Sequence, residues 1–341
     1  MAVRWLLFLA LGIVSAPILP AASAGIVDPE AVQRPLQVVF IRYPIEPAHF
    51  AAVLEQFKAG MTARGYLEGR DIEYVDILTR SSDLTAVPDV AAAVNRYKDS
   101  ADLFVTCGWV SLYAREILKE TEVPQLFVPA LHSVALEMLP SVTEQPGTNL
   151  SGVYLMYHPE KILRLTRLLL PGSRNYAYVY DSRIPADLVY KKAYQQISAA
   201  EHHGLTLSYL DLAGGVEPVI AALRQREIDA FGGIIGVFQH RQKLAVSGIP
   251  VITSYTLDVD RDTLRLYTGD DNVVAGLFNP FDYSGTQAAE MAADIFGGKT
   301  TIAKSRPRRA MQIAFINLKN AGKLQLPISF AALEAVDFVI R

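Results

Sequence analysis

The feature that most constrains the fold of this chain is a regular alternation of short apolar runs with longer segments of helical periodicity. Residues 36–43 (LQVVFIRY) have the pattern of a buried strand, and residues 48–64 carry apolar side chains at helical spacing. The pattern continues with strands predicted at 72–78, 103–106 and 124–128 and helices at 84–97 and 112–119. Because parallel strands need long crossovers, this rhythm predicts an α/β fold with a parallel sheet and helices on both faces.

The same rhythm restarts after a segment of different composition, residues 144–152 (EQPGTNLSG). Pro, Gly, Asn, Thr and Ser dominate this segment, which therefore predicts a crossover. Beyond it the sequence predicts strands at 176–181, 205–210, 230–235 and 250–255, helices at 159–170, 187–203 and 216–226, and a less regular tail with a helix at 284–296, a strand at 311–317 and a helix at 330–337. The 341 residues are enough for two doubly wound α/β units, one after the other.

The first residues have the three parts of a secretory signal. Arg4 is the positive start, residues 5–18 are nearly all apolar, and a small-residue cleavage site ends at Ala24. A membrane anchor is the alternative, but prolines interrupt the run, which is shorter than the roughly 20 residues of a spanning helix. We therefore expect residues 1–24 to be a signal peptide and the mature protein to be periplasmic.

Charge and cysteine content exclude several classes of function. The formal net charge is -3, so no basic excess is present to neutralise a nucleic-acid backbone. A single cysteine, Cys107, rules out an internal disulfide and a multi-thiolate metal site. The P-loop and the dinucleotide fingerprint are incomplete, and the sequence contains no Gly-x-Ser-x-Gly nucleophile elbow. We expect a protein that is not an enzyme and holds no metal or cofactor.

Polar and aromatic residues follow the predicted strands of both units. In the first unit they are Tyr43, Pro44, Cys107, Gly108, Trp109, His132 and Ser133. In the second unit they are Tyr180, Asp181, Ser182, Gly233 and Tyr255. Open α/β sheets bind ligands at the carboxyl ends of their strands, so both units would line one cleft. Each residue also has a structural interpretation: the aromatic side chains could cap the core, Cys107 could be a buried filler, and His132 an ordinary loop histidine.

Five short motifs make the chain resemble the substrate-binding proteins of ABC transporters with the type I periplasmic binding protein fold, in the tryptophan and tyrosine branch. They are residues 57–69 (FKAGMTARGYLEG) with 71–73, residues 146–153 (PGTNLSGV), residues 281–289 (FDYSGTQAA) leading to 296–298, residues 316–318 (INL), and residues 326–327 (LP). Each motif is weak alone, but their common order over about 300 residues is fairly specific.

The resemblance implies two lobes joined by a three-strand hinge, with a small molecule held between them and delivered to an ABC permease in the inner membrane by a monomeric protein. The first lobe would comprise residues 36–150 and about 275–309, and the second residues 151–274 and about 310–341. It adds Asp282 and Tyr283 to the ligand-binding residues.

Two departures from the family pattern bear on the ligand. Gly108-Trp109 stands where the family usually has Gly-Thr, and His132-Ser133 where it tends to have Asp-Pro. Both changes disfavour an α-amino acid and favour an aromatic or aryl-carboxylate ligand that stacks on Trp109. Two alternatives remain: a periplasmic sensor that presents its ligand to a signalling partner, and an exported α/β enzyme using His132 with Asp181 or Asp282.

Overall fold

The computed structural model describes residues 34–44, 50–81, 84–156, 158–255 and 271–341, so the predicted signal at 1–24 lies outside the described residues. The strands are β1 (Leu36–Arg42), β2 (Ile72–Leu78), β3 (Leu103–Thr106), β4 (Gln125–Leu131), β5 (Leu150–Leu155), β6 (Asn175–Tyr180), β7 (Thr206–Asp211), β8 (Ala230–Gly232), β9 (Val251–Tyr255), β10 (Val273–Phe278), β11 (Arg308–Arg309), β12 (Ile313–Asn317) and β13 (Phe338–Ile340). The helices are α1 (Ala51–Thr62), α2 (Val87–Tyr97), α3 (Val110–Leu118), α4 (His132–Met138), α5 (Pro159–Leu169), α6 (Pro185–Gln196), α7 (Val216–Gln225), α8 (Ile235–Leu244), α9 (Phe281–Phe296), α10 (Leu318–Lys323) and α11 (Phe330–Glu334).

The strands form two sheets, as the two predicted α/β units require. The described strands of the first sheet lie in the order β11-β5-β4-β3-β1-β2, and all are parallel. The second sheet has the order β13-β12-β10-β9-β8-β6-β7 and is parallel except where β10 meets β12. The central strands are apolar on both faces, which is typical of parallel sheets covered by helices on both sides.

Three short connections join the elements of one sheet to those of the other. The chain leaves β5 at Leu155 and enters α5, whose Ile162 and Leu163 pack in the core of the second sheet. It returns after β10 into α9, whose Phe281 packs in the core of the first sheet. It crosses again between Arg309 and β12. The topology is that of a doubly wound α/β fold with two sheets and three crossings.

Several sequence predictions need correction at element boundaries. Residues 144–152 are not all crossover, because Leu150–Leu155 forms a strand beside β4. The chain passes from β5 to α5 after Leu155, and β10 places residues 273–278 in the second sheet. The strand predicted at 230–235 ends at Gly232, and α8, which the sequence did not predict, begins at Ile235.

Close contact between α1 and α9 explains one motif of the resemblance. A Cβ built on Gly285 would lie 2.3 Å from the carbonyl oxygen of Val53, and one on Gly60 would lie 2.6 Å from the Cβ of Ala289. Glycine at these two positions lets the helices approach each other backbone to backbone. Part of the FDYSGTQAA motif is therefore explained by helix packing.

None of the helices in the described part of the chain is both long and apolar enough to cross a bilayer.

Candidate functional site

An aromatic cluster lies at the carboxyl ends of β1 and β3. Tyr43 follows β1 and is buried, with its ring centroid 4.9 Å from that of Phe50 and 5.2 Å from that of Trp109. The indole of Trp109 is only partly buried and meets Tyr113 edge to face at 5.2 Å. Burial raises the pKa of the Tyr43 hydroxyl, which stays protonated at neutral pH. The cluster therefore offers an aromatic surface in which Tyr43 is buried and Trp109 is partly accessible to a ligand.

Gly108 determines how closely Tyr43 approaches this loop. Its φ is +58°, and its N–H donates to the carbonyl oxygen of Pro129 at 3.0 Å. A Cβ at this position would lie 2.6 Å from the hydroxyl oxygen of Tyr43. Glycine is therefore required here by both the backbone conformation and the neighbouring phenol ring.

Cys107 and Pro44 flank the aromatic cluster. Cys107 is fully buried in the core of the first sheet, and its N–H donates to Ile41 O at 2.9 Å. Its position agrees with the interpretation of Cys107 as a small core residue. Pro44 directly follows Tyr43 and is partly buried.

His132 and Ser133 begin α4, so the loop expected at this position is a helical turn. The ring of His132 lies 5.7 Å from that of Tyr154, and partial burial lowers the pKa of the imidazole. The imidazole is therefore neutral at pH 7. The Ser133 Oγ is buried and has no hydrogen-bond partner among the described residues. A ligand group that reaches this hydroxyl would satisfy a bond that the fold leaves unmade.

A second cluster lies at the carboxyl end of β6. Tyr180 ends this strand, and Lys191 of α6 donates to its hydroxyl at 2.9 Å and lies 4.2 Å from its ring centroid. Asp181 is 3% exposed and pairs with Arg183, whose guanidinium holds the pKa of that carboxyl below its usual range. Ser182 is exposed, and its N–H donates to Asp211 Oδ1 at 3.1 Å.

Asp187, which the sequence analysis did not select, organises this cluster. Its carboxylate accepts N–H bonds from Asp181 at 2.9 Å, Ile235 at 3.0 Å and Gly236 at 3.1 Å. Burial raises its pKa to about 6, against the lowering effect of the three donors. Asp187 therefore links the loop after β6 to the first turn of α8. The sequence signals this link only weakly. Asp187 is an acidic residue in the first turn of a predicted helix, and residues 232–236 are rich in glycine.

The other predicted site residues have different surroundings. The N–H of Gly233 donates to Thr253 Oγ1 at 2.9 Å, and the Thr253 hydroxyl donates back to Gly233 O. Both backbone polar groups of Gly233 are thus hydrogen-bonded to Thr253 of β9. Tyr255 ends β9, but its side chain lies outside the described residues. Asp282 and Tyr283 lie in the first turn of α9, where Tyr283 is 45% exposed.

The predicted site residues therefore form groups on both sheets. Tyr43, Gly108 and Trp109 share one cluster, and His132 and Ser133 follow the neighbouring strand β4. Tyr180, Asp181 and Ser182 form the second cluster with two unpredicted residues, Lys191 and Asp187. The clusters lie at carboxyl ends of parallel strands, which is where α/β sheets of this kind bind ligands.

Two parallel-dominated sheets with three crossings define the type I periplasmic binding protein fold, and solved structures show the same architecture. An ABC domain in complex with L-Trp from Streptococcus pneumoniae matches with a TM-score of 0.71 at 15% identity, covering 90% of this chain and 100% of that one. A ligand-free, open substrate-binding protein with adhesive properties from Clostridium difficile matches at 0.68 and 16%, covering 89% and 99%. A leucine-binding protein from Thermotoga maritima matches at 0.58 and 14%, covering 79% and 86%.

These three proteins are binding proteins or transporter domains, and the likeness establishes the fold. No protein-family model matches the sequence, and no curated protein is similar enough to be matched. The fold class predicted from the sequence is confirmed.

Proposed function

We propose that the chain is an exported solute-binding protein that captures a small aromatic carboxylate between its two clusters and delivers it to an ABC permease. The observation that carries this proposal is the Tyr43–Trp109 pair, an aromatic surface with its outer ring partly exposed at the carboxyl end of the first sheet. Solved proteins of this fold include a complex with L-Trp, which supports a cleft able to hold a ring.

Hydrogen-bonding groups around this surface suit an anionic end. The Ser133 Oγ is buried without a described partner and would donate to a carboxylate. His132, neutral at pH 7, would donate one N–H rather than contribute charge. In the second cluster the Lys191 ammonium contributes a cation next to Tyr180. A ligand that touches both clusters would favour the closed state only by its differential affinity for that state.

Trp109 provides a direct test. Trp5 and Trp109 are the two tryptophans of the sequence, so protein processed at Ala24 would report ligand binding through Trp109 alone. We expect 4-hydroxybenzoate or phenylacetate to change this fluorescence, and titration calorimetry to give micromolar affinity, about -8 kcal/mol. L-leucine should bind at least tenfold more weakly. Tight binding of leucine with no response to either aryl acid would refute the ligand class.

A variant pair would separate binding from folding. Trp109→Ala should weaken aryl-acid binding at least tenfold, because it removes the exposed ring. Phe330→Ala is the control, since Phe330 is 74% exposed on α11. Equal affinities of the two variants would remove Trp109 from the site.

Uptake of the bound acid by cells with and without the gene would then test delivery to a permease.

A further inference from the structure

A cavity of about 410 Å³ lies beside the crossings, and none of its lining residues belongs to either cluster. Its walls come from α5, from β10 and β12, and from the chain around Arg309. Its volume is within the roughly 300–1,000 Å³ of small-molecule sites. None of the residues predicted from the sequence to bind ligand lines it.

Cations outnumber anions on these walls. Lys161, Arg164 and Arg309 line the cavity, against the single carboxylate of Asp337. Asp337 accepts the N–H of Ala314 at 2.9 Å, so part of its acceptor capacity is used by the backbone. Within the described part of the chain, the side chains of Lys161 and Arg164 have no hydrogen-bond or ion-pair partner. Two cations beside a concave surface therefore lack an internal counterion.

The remaining walls are apolar, with one unsatisfied polar atom. Leu165, Leu168 and Leu277 line the cavity. Gln312 donates to Met156 O at 3.4 Å, whereas its Oε1 is buried without a partner among the described residues. A hydroxyl on a ligand would satisfy this acceptor.

We propose that this cavity binds an amphipathic carboxylate, with its hydrocarbon part on the three leucines and its anionic end between Arg164, Lys161 and Arg309. Arginine and lysine both pair with carboxylates, and neighbouring apolar walls would bury the chain of the ligand. Because Arg309 ends β11 before one crossing and Arg164 lies in the helix that follows another, the ligand would contact elements next to both crossings.

Octanoate is a suitable probe. Titration calorimetry should show that octanoate binds, whereas octanol, which lacks the charge, and inorganic phosphate, which lacks the hydrocarbon, bind at least tenfold more weakly. A ligand with a 3-hydroxyl, 3-hydroxyoctanoate, should bind more tightly than octanoate through Gln312 Oε1, and Gln312→Met should abolish that difference. Phosphate binding as tightly as octanoate would show an unselective anion site and overturn the proposal.

Matched variants locate the site. Arg164→Gln should weaken octanoate binding at least tenfold, whereas Lys192→Gln, which removes an exposed charge from α6 outside the cavity, should change it less than twofold. Trp109→Ala should leave octanoate binding unchanged. Loss of octanoate binding in Trp109→Ala, or its retention in Arg164→Gln, would assign octanoate to another site and refute the inference. The result does not depend on the identity of the ligand at the two clusters.

Discussion

Arg309 donates a hydrogen bond from Nη2 to Nε2 of His158, and this bond joins the end of β11 to the connection that precedes α5. Arginine can only donate, so Nε2 must carry the lone pair and the proton lies on Nδ1. Nδ1 is 2.7 Å from Glu160 Oε1, which accepts a hydrogen bond from the Nδ1–H group. The geometry therefore requires a neutral His158.

The first prediction concerns acid sensitivity at this bond. Desolvation lowers the pKa of His158 below 6.5, and Lys161 and Arg309 act in the same direction, while Glu160 opposes them. Since the unfolded chain then binds the proton more readily than the folded one, this contribution to stability is full above about pH 6.5 and is lost as pH falls through the folded pKa. Replacing His158 by Gln should reduce the fall in Tm between pH 7.5 and pH 5.

His132→Gln is a comparison variant, because partial burial also lowers the pKa of His132, which lies in α4. It should likewise reduce the fall in Tm between pH 7.5 and pH 5, but it leaves the His158–Arg309 bond in place. An unchanged pH profile in His158→Gln would contradict the prediction.

The second prediction concerns Gly108. Gly108→Ala should destabilise the fold by more than 1 kcal/mol, because a positive φ and a contact of 2.6 Å with the Tyr43 hydroxyl act together. It should also displace Tyr43 and weaken aryl-acid binding. Gly147→Ala is the control: φ is +67°, but no atom lies within 4 Å of the added Cβ. Urea unfolding of both variants would measure the difference, and equal losses would show that the phenol contact costs nothing.

The third prediction concerns the contact between α1 and α9. A methyl group on Gly285 would overlap the backbone of Val53, so Gly285→Ala should cost about 1–3 kcal/mol of unfolding free energy. In α10, the Cβ of Gly322→Ala would meet no atom within 4 Å, and the change should stabilise by about 0.5–1 kcal/mol through helix propensity. Guanidinium unfolding of both variants would show whether Gly285→Ala lowers the free energy of unfolding while Gly322→Ala raises it.

The fourth prediction concerns Asp187. Asp187→Asn should cost about 1–3 kcal/mol at pH 7, because an amide cannot accept all three backbone N–H bonds. The raised pKa of Asp187 makes stability depend on pH in the opposite direction from His158. Its contribution to folding stability is full below the unfolded pKa near 3.8 and is lost as pH rises through about 6. Stability measured at pH 4.5 and pH 7 should therefore fall less with pH in Asp187→Asn than in the wild type.

Asn149, in the motif at residues 146–153, has a structural role that only the folded chain shows. The sequence motif around it resembles a family pattern without indicating a role. In the structure Asn149 Nδ2 lies within 2.9 Å of the carbonyl oxygens of Leu118, Thr121 and Val123, and Oδ1 accepts from Arg115. The side chain closes the loop between α3 and β4, so its role is to hold backbone groups that a sequence pattern does not identify.

The sequence by itself determined the class of fold and most of its elements, because apolar periodicity is a local property of the chain. The strands at 72–78 and 103–106 coincide with β2 and β3, and α5 begins at Pro159 as predicted. It also placed Tyr43 and Trp109 after the first and third predicted strands, and the pairing of β1 with β3 in the folded sheet brings the two residues together.

Only the tertiary structure decided the features that depend on partners distant in sequence. Ile234 and Ile235 are β-branched and fall in the segment predicted as a strand, but Asp187 accepts the N–H groups of Ile235 and Gly236, which begin α8. His158 and Arg309 are 151 positions apart, and their bond exists because β11 pairs with β5, the strand that His158 follows. The cavity of the further inference arises in the same way, because its cations come from distant segments: Lys161 and Arg164 lie on α5, and Arg309 ends β11. A local pattern fixes the conformation of a segment, whereas hydrogen bonds and charges between segments depend on where the fold brings them together.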